Sequence, residues 1–223
     1  MKLPFNATLE QQENFQKFYE ILIETNKQFN LTNITEEDEV AEKHFLDSIQ
    51  VVGLIKENLS VVDVGAGAGF PSVPVKIMRP DLQMTLVDSL NKRVKFLEEI
   101  GKQLSFNNFE CVHARAEDFA VKKRESFDVG LARAVASLPT LCELVAPFVK
   151  VGGKLLLHKG AIFEAEIAQS EQAFKELGLV LNKVERYKLQ NAGQERVIIV
   201  LDKVRHTPLK YPRAQNKPRT NPL

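Results

Sequence analysis

Only two of the 223 residues are cysteine, Cys111 and Cys142, and neither stands at metal-ligand spacing. Both lie in apolar contexts, which suits small buried side chains in a reducing compartment and excludes a disulfide framework or a zinc site; no metal is expected. No apolar run approaches the length that spans a bilayer. The opening residues, Met1-Lys2-Leu3-Pro4-Phe5-Asn6, contain no apolar stretch of the secretory type, so the expected location is the cytoplasm. Internal repeats and low-complexity segments are missing as well. Acid is missing from one place in particular: after Asp202 there is no Asp or Glu.

What is present fits a globular chain, with 44% hydrophobic and 26% charged residues. The length suits one domain with additions and a large core. The net charge of +1 conceals a gradient. Residues 1–60 carry five Lys against eleven Asp or Glu, whereas residues 203–223 carry Lys203, Arg205, Lys210, Arg213, Lys217 and Arg219. Positive charge gathered at one end suits a polyanionic partner better than the average charge does. Four prolines in that tail, Pro208, Pro212, Pro218 and Pro222, predict an extended segment rather than a helix.

The chain is organised around Val61-Val62-Asp63-Val64-Gly65-Ala66-Gly67-Ala68-Gly69-Phe70-Pro71. Three valines around one Asp read as a buried strand, and the alternating glycines read as a loop that lets a ligand lie against backbone. Pro71 suits the first turn of a following helix. A dinucleotide site needs G-x-G-x-x-G/A, with the third small residue packing helix on strand. Counted from Gly65 that position is Phe70, which is too large; counted from Gly67 it is Ser72, and the strand then ends too early. An acidic residue followed by G-x-G-x-G instead resembles the first motif of S-adenosylmethionine-dependent methyltransferases.

Around it the pattern predicts a helical extension over residues 1–60. Thr8 with Gln11 forms a capping box for a helix to about Lys27. Thr35 starts a second helix, and Asp47-Ser48 caps a third that ends near Ile55. Strands follow at Val61–Val64, Met84–Asp88, Phe109–His113, Phe127–Ala132 and Lys154–His158. Helices are expected from the glycine loop to Arg79, then over Lys92–Leu104, Ser137–Val149 and Phe163–Leu177. Leu179–Lys188 and Arg196–Asp202 are two strands joined by a short loop, hence antiparallel. Parallel strand–helix units closed by such a hairpin form the class I methyltransferase fold, a Rossmann-like seven-stranded α/β sheet with its last strand antiparallel. The expected division is 1–60, helical extension; 61–202, methyltransferase domain; 203–223, basic proline-rich tail.

S-adenosylmethionine needs three kinds of contact. Asp88, 23 residues after Gly65 and at a strand end, suits the ribose diol, with a helix cap as the other reading. Ala116-Glu117 after the third strand suits the adenine edge, with a solvated turn as the alternative. Gly65, Gly67 and Phe70 suit the methionyl end. At the end of the fourth strand stands Arg133, where enzymes acting on exocyclic amines usually carry Asp/Asn-Pro-Pro-aromatic. An arginine there suits an acceptor edge or a phosphate, or else an ordinary ion pair. Neither cysteine is placed as a nucleophile for pyrimidine C5.

Asn30-Leu31-Thr32, His44 with Leu46-Asp47-Ser48, the glycine stretch, Asp88-Ser89, Lys92-Arg93, Ala116-Glu117, Arg133-Ala134, Lys159-Gly160 and Tyr211-Pro212-Arg213 appear in that order. Together they resemble the bacterial 16S ribosomal RNA guanine-N7 methyltransferase family, also called glucose-inhibited division protein B. Ser72 stands where that family usually has glycine, and Ala132 where serine often precedes the arginine. The resemblance implies methyl transfer from S-adenosylmethionine to a guanine N7 in 16S ribosomal RNA or the small-subunit particle, by a protein working as a monomer. It implies cofactor contacts at Gly65, Ala66, Gly67, Phe70, Asp88, Ser89, Ala116, Glu117 and Arg133. Arg133 and Lys159 would position the base with no general base required. Asn30 and His44 would face RNA. The charge of the tail separately suits RNA contacts at Lys210, Arg213 and Lys217, with Tyr211 among them to stack on an unpaired base; a disordered end, or a tail folded back on the acidic N-terminal helices, is the other reading. A catalytically silent RNA-binding protein of the same fold and a small-molecule methyltransferase are the alternatives.

Overall fold

The structure is a computed structural model that describes residues 1–133, 136–160, 163–189 and 193–223. Among the described residues seven strands form one sheet. They are β1 (Ser60–Val64), β2 (Gln83–Asp88), β3 (Phe109–His113), β4 (Phe127–Arg133), β5 (Val149–Gly160), β6 (Leu179–Lys188) and β7 (Glu195–Lys203), in the order β3-β2-β1-β4-β5-β7-β6. The first five run parallel, and β7 inserts antiparallel to both β5 and β6. The order reverses between β1 and β4, and such a switch point opens a crevice at the carboxyl ends of the strands.

Both faces of the sheet are covered, so strand residues alternate between two apolar layers. Val61, Met84, Leu86, Leu131, Leu156, Ile198 and Val200 face one layer. Val62, Val64, Val87, Ala132, Leu155, Leu157, Val197 and Ile199 face the other. The first layer holds α4 (Ser72–Met78), α5 (Asn91–Gln103) and the N-terminal helices. The second holds α6 (Ala116–Lys122), α7 (Leu138–Val145), α8 (Glu164–Gln169) and α9 (Glu171–Leu177). The sequence pattern did not separate α6 from a loop, nor α8 from α9, which part at Ser170.

At the N-terminus, α1 (Leu9–Asn26) begins at the Thr8–Gln11 capping box and sinks Phe15, Phe18 and Leu22 into the core. The next two expected helices are one. α2 (Glu37–Val40) starts after Glu36, without a side-chain cap from Thr35. It runs through a π-helical stretch, Ala41–Leu46, directly into α3 (Asp47–Ile49). Asp47 is therefore inside a helix and caps nothing. A π turn widens the helix and commonly marks a functional site; here it buries Phe45 while His44 and Asp47 face the carboxyl edge of the sheet.

The tail is also not extended. It folds back on the second layer and ends in a short helix, α10 (Lys217–Thr220), packed on α7. The acids it lacks are supplied from elsewhere. Buried Lys203 pairs with Glu125, Lys210 with Glu176, and Arg213 with Glu143. Tyr211 is buried and its hydroxyl donates to Glu176 at 2.6 Å, so its ring does not serve as a stacking surface for a base. No helix among the described residues is long and apolar enough to cross a membrane.

Candidate active site

The glycine loop leaves β1 at Gly65 and turns under the crevice. Gly65, Gly67 and Gly69 all have positive φ, of 78°, 59° and 91°. The latter two differ in purpose. A Cβ on Gly69 would stand 2.7 Å from Val73 Cγ2 and 3.2 Å from Leu97 Cδ2, so that glycine lets loop and helix pack. A Cβ on Gly67 would meet nothing nearer than the Gly65 carbonyl at 3.8 Å, so that glycine presents bare backbone to open space. The loop is held from β2: Asp88 Oδ2 accepts from the Gly67 N–H at 2.9 Å, and its Oδ1 accepts from the Leu90 N–H at 2.9 Å. Asp88 does not cap α5, whose N-cap residue is Leu90.

These elements enclose a cavity of about 430 Å³, within the range of small-molecule sites. Gly65, Ala66, Gly67, Phe70, Asp88, Ser89, Ala116, Glu117 and Arg133 all line it. The expected cofactor residues are thus brought to one place from four strand ends. Thr32, Arg93, Arg115, Asn216 and Arg219 join them; none of these was expected as a contact. The donor set fits S-adenosylmethionine: a carboxylate at the second strand end, a bare glycine backbone, and a small residue beside a carboxylate at the third.

A second cavity adjoins the first and shares His44 and Arg133 with it. Lys43, Asp47, His158, Lys159 and Arg196 complete its polar wall. Arg133 is the partition. Its guanidinium donates to Asp47 Oδ2 at 2.8 Å and lies over the Phe70 ring, 4.9 Å from the centroid. It also approaches His44 Nδ1 at 3.2 Å. Nδ1 lies equally close, at 3.2 Å, to the Lys43 carbonyl, which only accepts, while Nε2 faces Thr32 Oγ1 at 2.8 Å. His44 stacks on Phe70 with centroids 4.4 Å apart. Burial, with Arg133 adding to it, lowers the His44 pKa to about 3, so this imidazole is neutral and a poor base at neutral pH.

Asp47 is the hub behind that partition. Besides Arg133 it accepts from the Tyr187 hydroxyl at 2.8 Å, and Arg196 Nε approaches at 3.7 Å. Its carbonyl meets His158 Nε2 at 3.2 Å, while His158 Nδ1 is buried with no partner among the described residues. Burial lowers the His158 pKa to about 4. Asp63, under the glycine loop, is fully buried; Ser72 Oγ donates to its Oδ2, and its Oδ1 has no partner among the described residues. Burial raises its pKa to about 7.

Other expected residues have mixed placements. Lys159 lines the second cavity, but its ammonium is paired with Glu166 at 2.6 Å and donates to the Ala136 carbonyl. Asn30 is exposed and lines neither cavity, although Leu31 and Thr32 beside it line the first. Ala134, part of the Arg133-Ala134 pair, lies outside the described residues. Arg213 is a bidentate partner of the fully buried Glu143, with bonds of 2.9 and 2.6 Å, which leaves that guanidinium committed within the fold. Lys210 and Lys217 are exposed. Asp47 stood in a quoted motif, yet only its contacts distinguish it from a helix cap.

Solved structures of similar fold include Pyrococcus horikoshii TYW2 in complex with MeSAdo, with TM-score 0.59 and 17% identity, covering 71% of this chain and 61% of that one. M. jannaschii TYW2 in complex with AdoMet aligns with TM-score 0.57 at 16% identity over 77% of this chain and 80% of that one. Both likenesses concern the fold alone. Sequence relatives reach further. The protein named ribosomal RNA small subunit methyltransferase G from Leuconostoc citreum is 48% identical over 222 residues, covering 97% of this chain and 92% of that one. Its namesake from Thermoanaerobacter pseudethanolicus is 47% identical over 215 residues, covering 95% and 90%. The model of the GidB family, rRNA small subunit methyltransferase G, matches residues 11–198, and the chain belongs to that family.

Proposed function

We propose that the protein transfers a methyl group from S-adenosylmethionine to N7 of a guanine in 16S ribosomal RNA, in the cytoplasm. The observation that carries this reading is the pairing of two cavities across Arg133. The first is lined by the residues a nucleoside with an amino-acid tail requires. The second is rimmed by Lys43, Arg133, Lys159 and Arg196, which suits an anionic polymer and the acceptor edge of a base.

The chemistry of the second cavity narrows the acceptor. Among its described lining residues the one carboxylate is Asp47, which is occupied by Arg133 and Tyr187. His44 is neutral, and both its ring nitrogens are engaged, Nδ1 by Arg133 and the Lys43 carbonyl and Nε2 by Thr32. His158 Nδ1 has no partner among the described residues, but with its pKa lowered to about 4 by burial it is a weak base, so this lining suits an acceptor that brings its own lone pair. Guanine N7 does. Bound S-adenosylmethionine supplies an electrophilic methyl, and the chain's part is alignment and exclusion of water. Arg133 is suited to hold O6 or a flanking phosphate rather than N7, because positive charge develops on the base. Lys159, tied to Glu166, supports the cavity wall. Residues 1–60 cover one face of the catalytic domain, 61–202, and residues 203–223 complete its other side.

The test is mass mapping of 16S ribosomal RNA from cells with and without the gene, complemented by the wild type or by Arg133→Ala. One guanine should lose a 7-methyl mark with the gene, regain it with the wild type and fail to regain it with the variant. An unchanged map would overturn the assignment.

A further inference from the structure

The last hairpin of the sheet reaches the partition between the cavities from the far edge. Strands β7 and β6 stand two and three places from β4, whose last residue is Arg133. Neighbouring strands lie about 4.8 Å apart, so β6 is roughly 14 Å from β4. Tyr187 of β6 and Arg196 of β7 are direct cross-strand partners. Both side chains reach Asp47, and Asp47 in turn meets Arg133, so one carboxylate of α3 ties the edge hairpin to the fourth strand end.

The two oxygens of that carboxylate are divided between two donors. Oδ2 accepts from Arg133 Nη1 at 2.8 Å, and Oδ1 accepts from the Tyr187 hydroxyl at 2.8 Å. Arg196 Nε stands 3.7 Å from Oδ1, beyond hydrogen-bond range, and its Nη2 donates to Gln194 Oε1 at 2.7 Å. Among the described residues Tyr187 is therefore the hydrogen-bond donor to Oδ1. Burial and the Asp47 charge push the Tyr187 pKa well above the ordinary phenol range, so the hydroxyl keeps its proton and remains a donor.

This division governs how Arg133 lies. An arginine beside a carboxylate with both oxygens available favours a fork of two parallel hydrogen bonds. Arg133 instead grips Asp47 through one nitrogen, while its Nη2 approaches His44 Nδ1 at 3.2 Å and its guanidinium lies over the Phe70 ring. We infer that Tyr187 is a positioning residue for methyl transfer: by occupying Asp47 Oδ1 it denies Arg133 the fork and keeps that guanidinium between the two cavities. Tyr187 lines neither cavity, so it acts through Asp47. The inference rests on the reading of Arg133 as the group that holds the guanine.

The test is Tyr187→Phe, which removes the hydroxyl and keeps the ring. Single-turnover methylation is measured on 16S ribosomal RNA from cells lacking the gene, with S-adenosylmethionine and RNA both saturating. The rate should fall about tenfold to a hundredfold, the scale of a misplaced orienting group, while S-adenosylmethionine affinity and the KM for RNA stay near wild type. In the Asp47→Asn background the same change should cost no further rate, because the carboxylate it acts through is gone. A merely structural tyrosine would not move the next readout: the stability coupling of Asp47→Asn with Arg133→Gln should rise in Tyr187→Phe, as the fork forms. A wild-type rate in Tyr187→Phe, an equal further loss in the Asp47→Asn background, or a rate loss matched by lost cofactor affinity would each overturn the assignment. A wild-type protein that leaves this RNA unmethylated would instead refute the function on which it rests.

Discussion

Replacing Asp47 by Asn is the sharpest probe of the partition between the two cavities. The side chain keeps its shape but loses its charge. Asp47 is only 5% exposed, and it faces the Arg133 guanidinium, which is 12% exposed, at 2.8 Å. The variant exchanges a charge-assisted hydrogen bond for a neutral one and leaves a buried guanidinium without its counter-charge. The first change costs about 1 to 2 kcal/mol and the second adds to it, so about 2 to 3 kcal/mol of stability should be lost. For a chain of this size that is a fall in Tm of roughly 4 to 12 °C. The functional loss should exceed what destabilisation explains: with the variant folded and saturated with S-adenosylmethionine, kcat should fall while cofactor affinity changes little. A double-mutant cycle of Asp47→Asn with Arg133→Gln should give a coupling of about 1 to 3 kcal/mol, since each variant removes the same bond. Chemical denaturation and single-turnover methylation of ribosomal RNA measure the two arms. Additive stability losses, or Asp47→Asn turnover equal to wild type, would refute the claim that Asp47 positions Arg133.

Gly67→Leu should abolish the rise in Tm that S-adenosylmethionine gives, roughly 2.7 kcal/mol at a hundredfold excess over Kd, because φ is 59° there and the side chain would enter the cavity; NAD should give no rise with either protein in a thermal-shift assay. Asp63 has its native pKa raised by burial to about 7. Between about pH 4 and 7 the native carboxyl keeps a proton that the unfolded one has lost, so its contribution to stability falls as pH rises through that window, by about 1.4 kcal/mol per unit. Asp63→Asn should remove this slope, so the variant gains on wild type between pH 5 and 7 in urea titrations of the cofactor-free protein; a parallel pair of pH profiles would count against a buried protonated Asp63. Lys210→Gln with Lys217→Gln should flatten the salt dependence of RNA binding by up to about 2 units of log–log slope, with S-adenosylmethionine affinity unchanged in filter-binding and calorimetric assays, whereas an unaltered slope would show that the tail does not meet phosphate. Arg213→Gln should instead act on stability, because its partner Glu143 is fully buried.

What the amino-acid order determined by itself is whatever local periodicity and backbone permission decide. Short strand-like runs set between helical segments marked β1, β2, β3 and β6 nearly to the residue, and the hydroxyl–amide box at Thr8 and Gln11 marked the start of α1. The glycines at 65, 67 and 69, with Asp88 one strand later, marked the loop under the first cavity, because positive φ there requires that residue type. Tertiary structure decided the rest. Asp47 read as a cap since Asp commonly is one; only the π turn and the arrival of Arg133 and Tyr187, 86 and 140 residues away, make it the hub of a buried network. The tail read as extended because its prolines disfavour helix, and as a polyanion contact because it has no acid of its own. Its acids, Glu125, Glu143 and Glu176, lie on the folded body. Charge partners far apart in the chain leave no periodic trace, and burial chooses among them only after the sheet has closed.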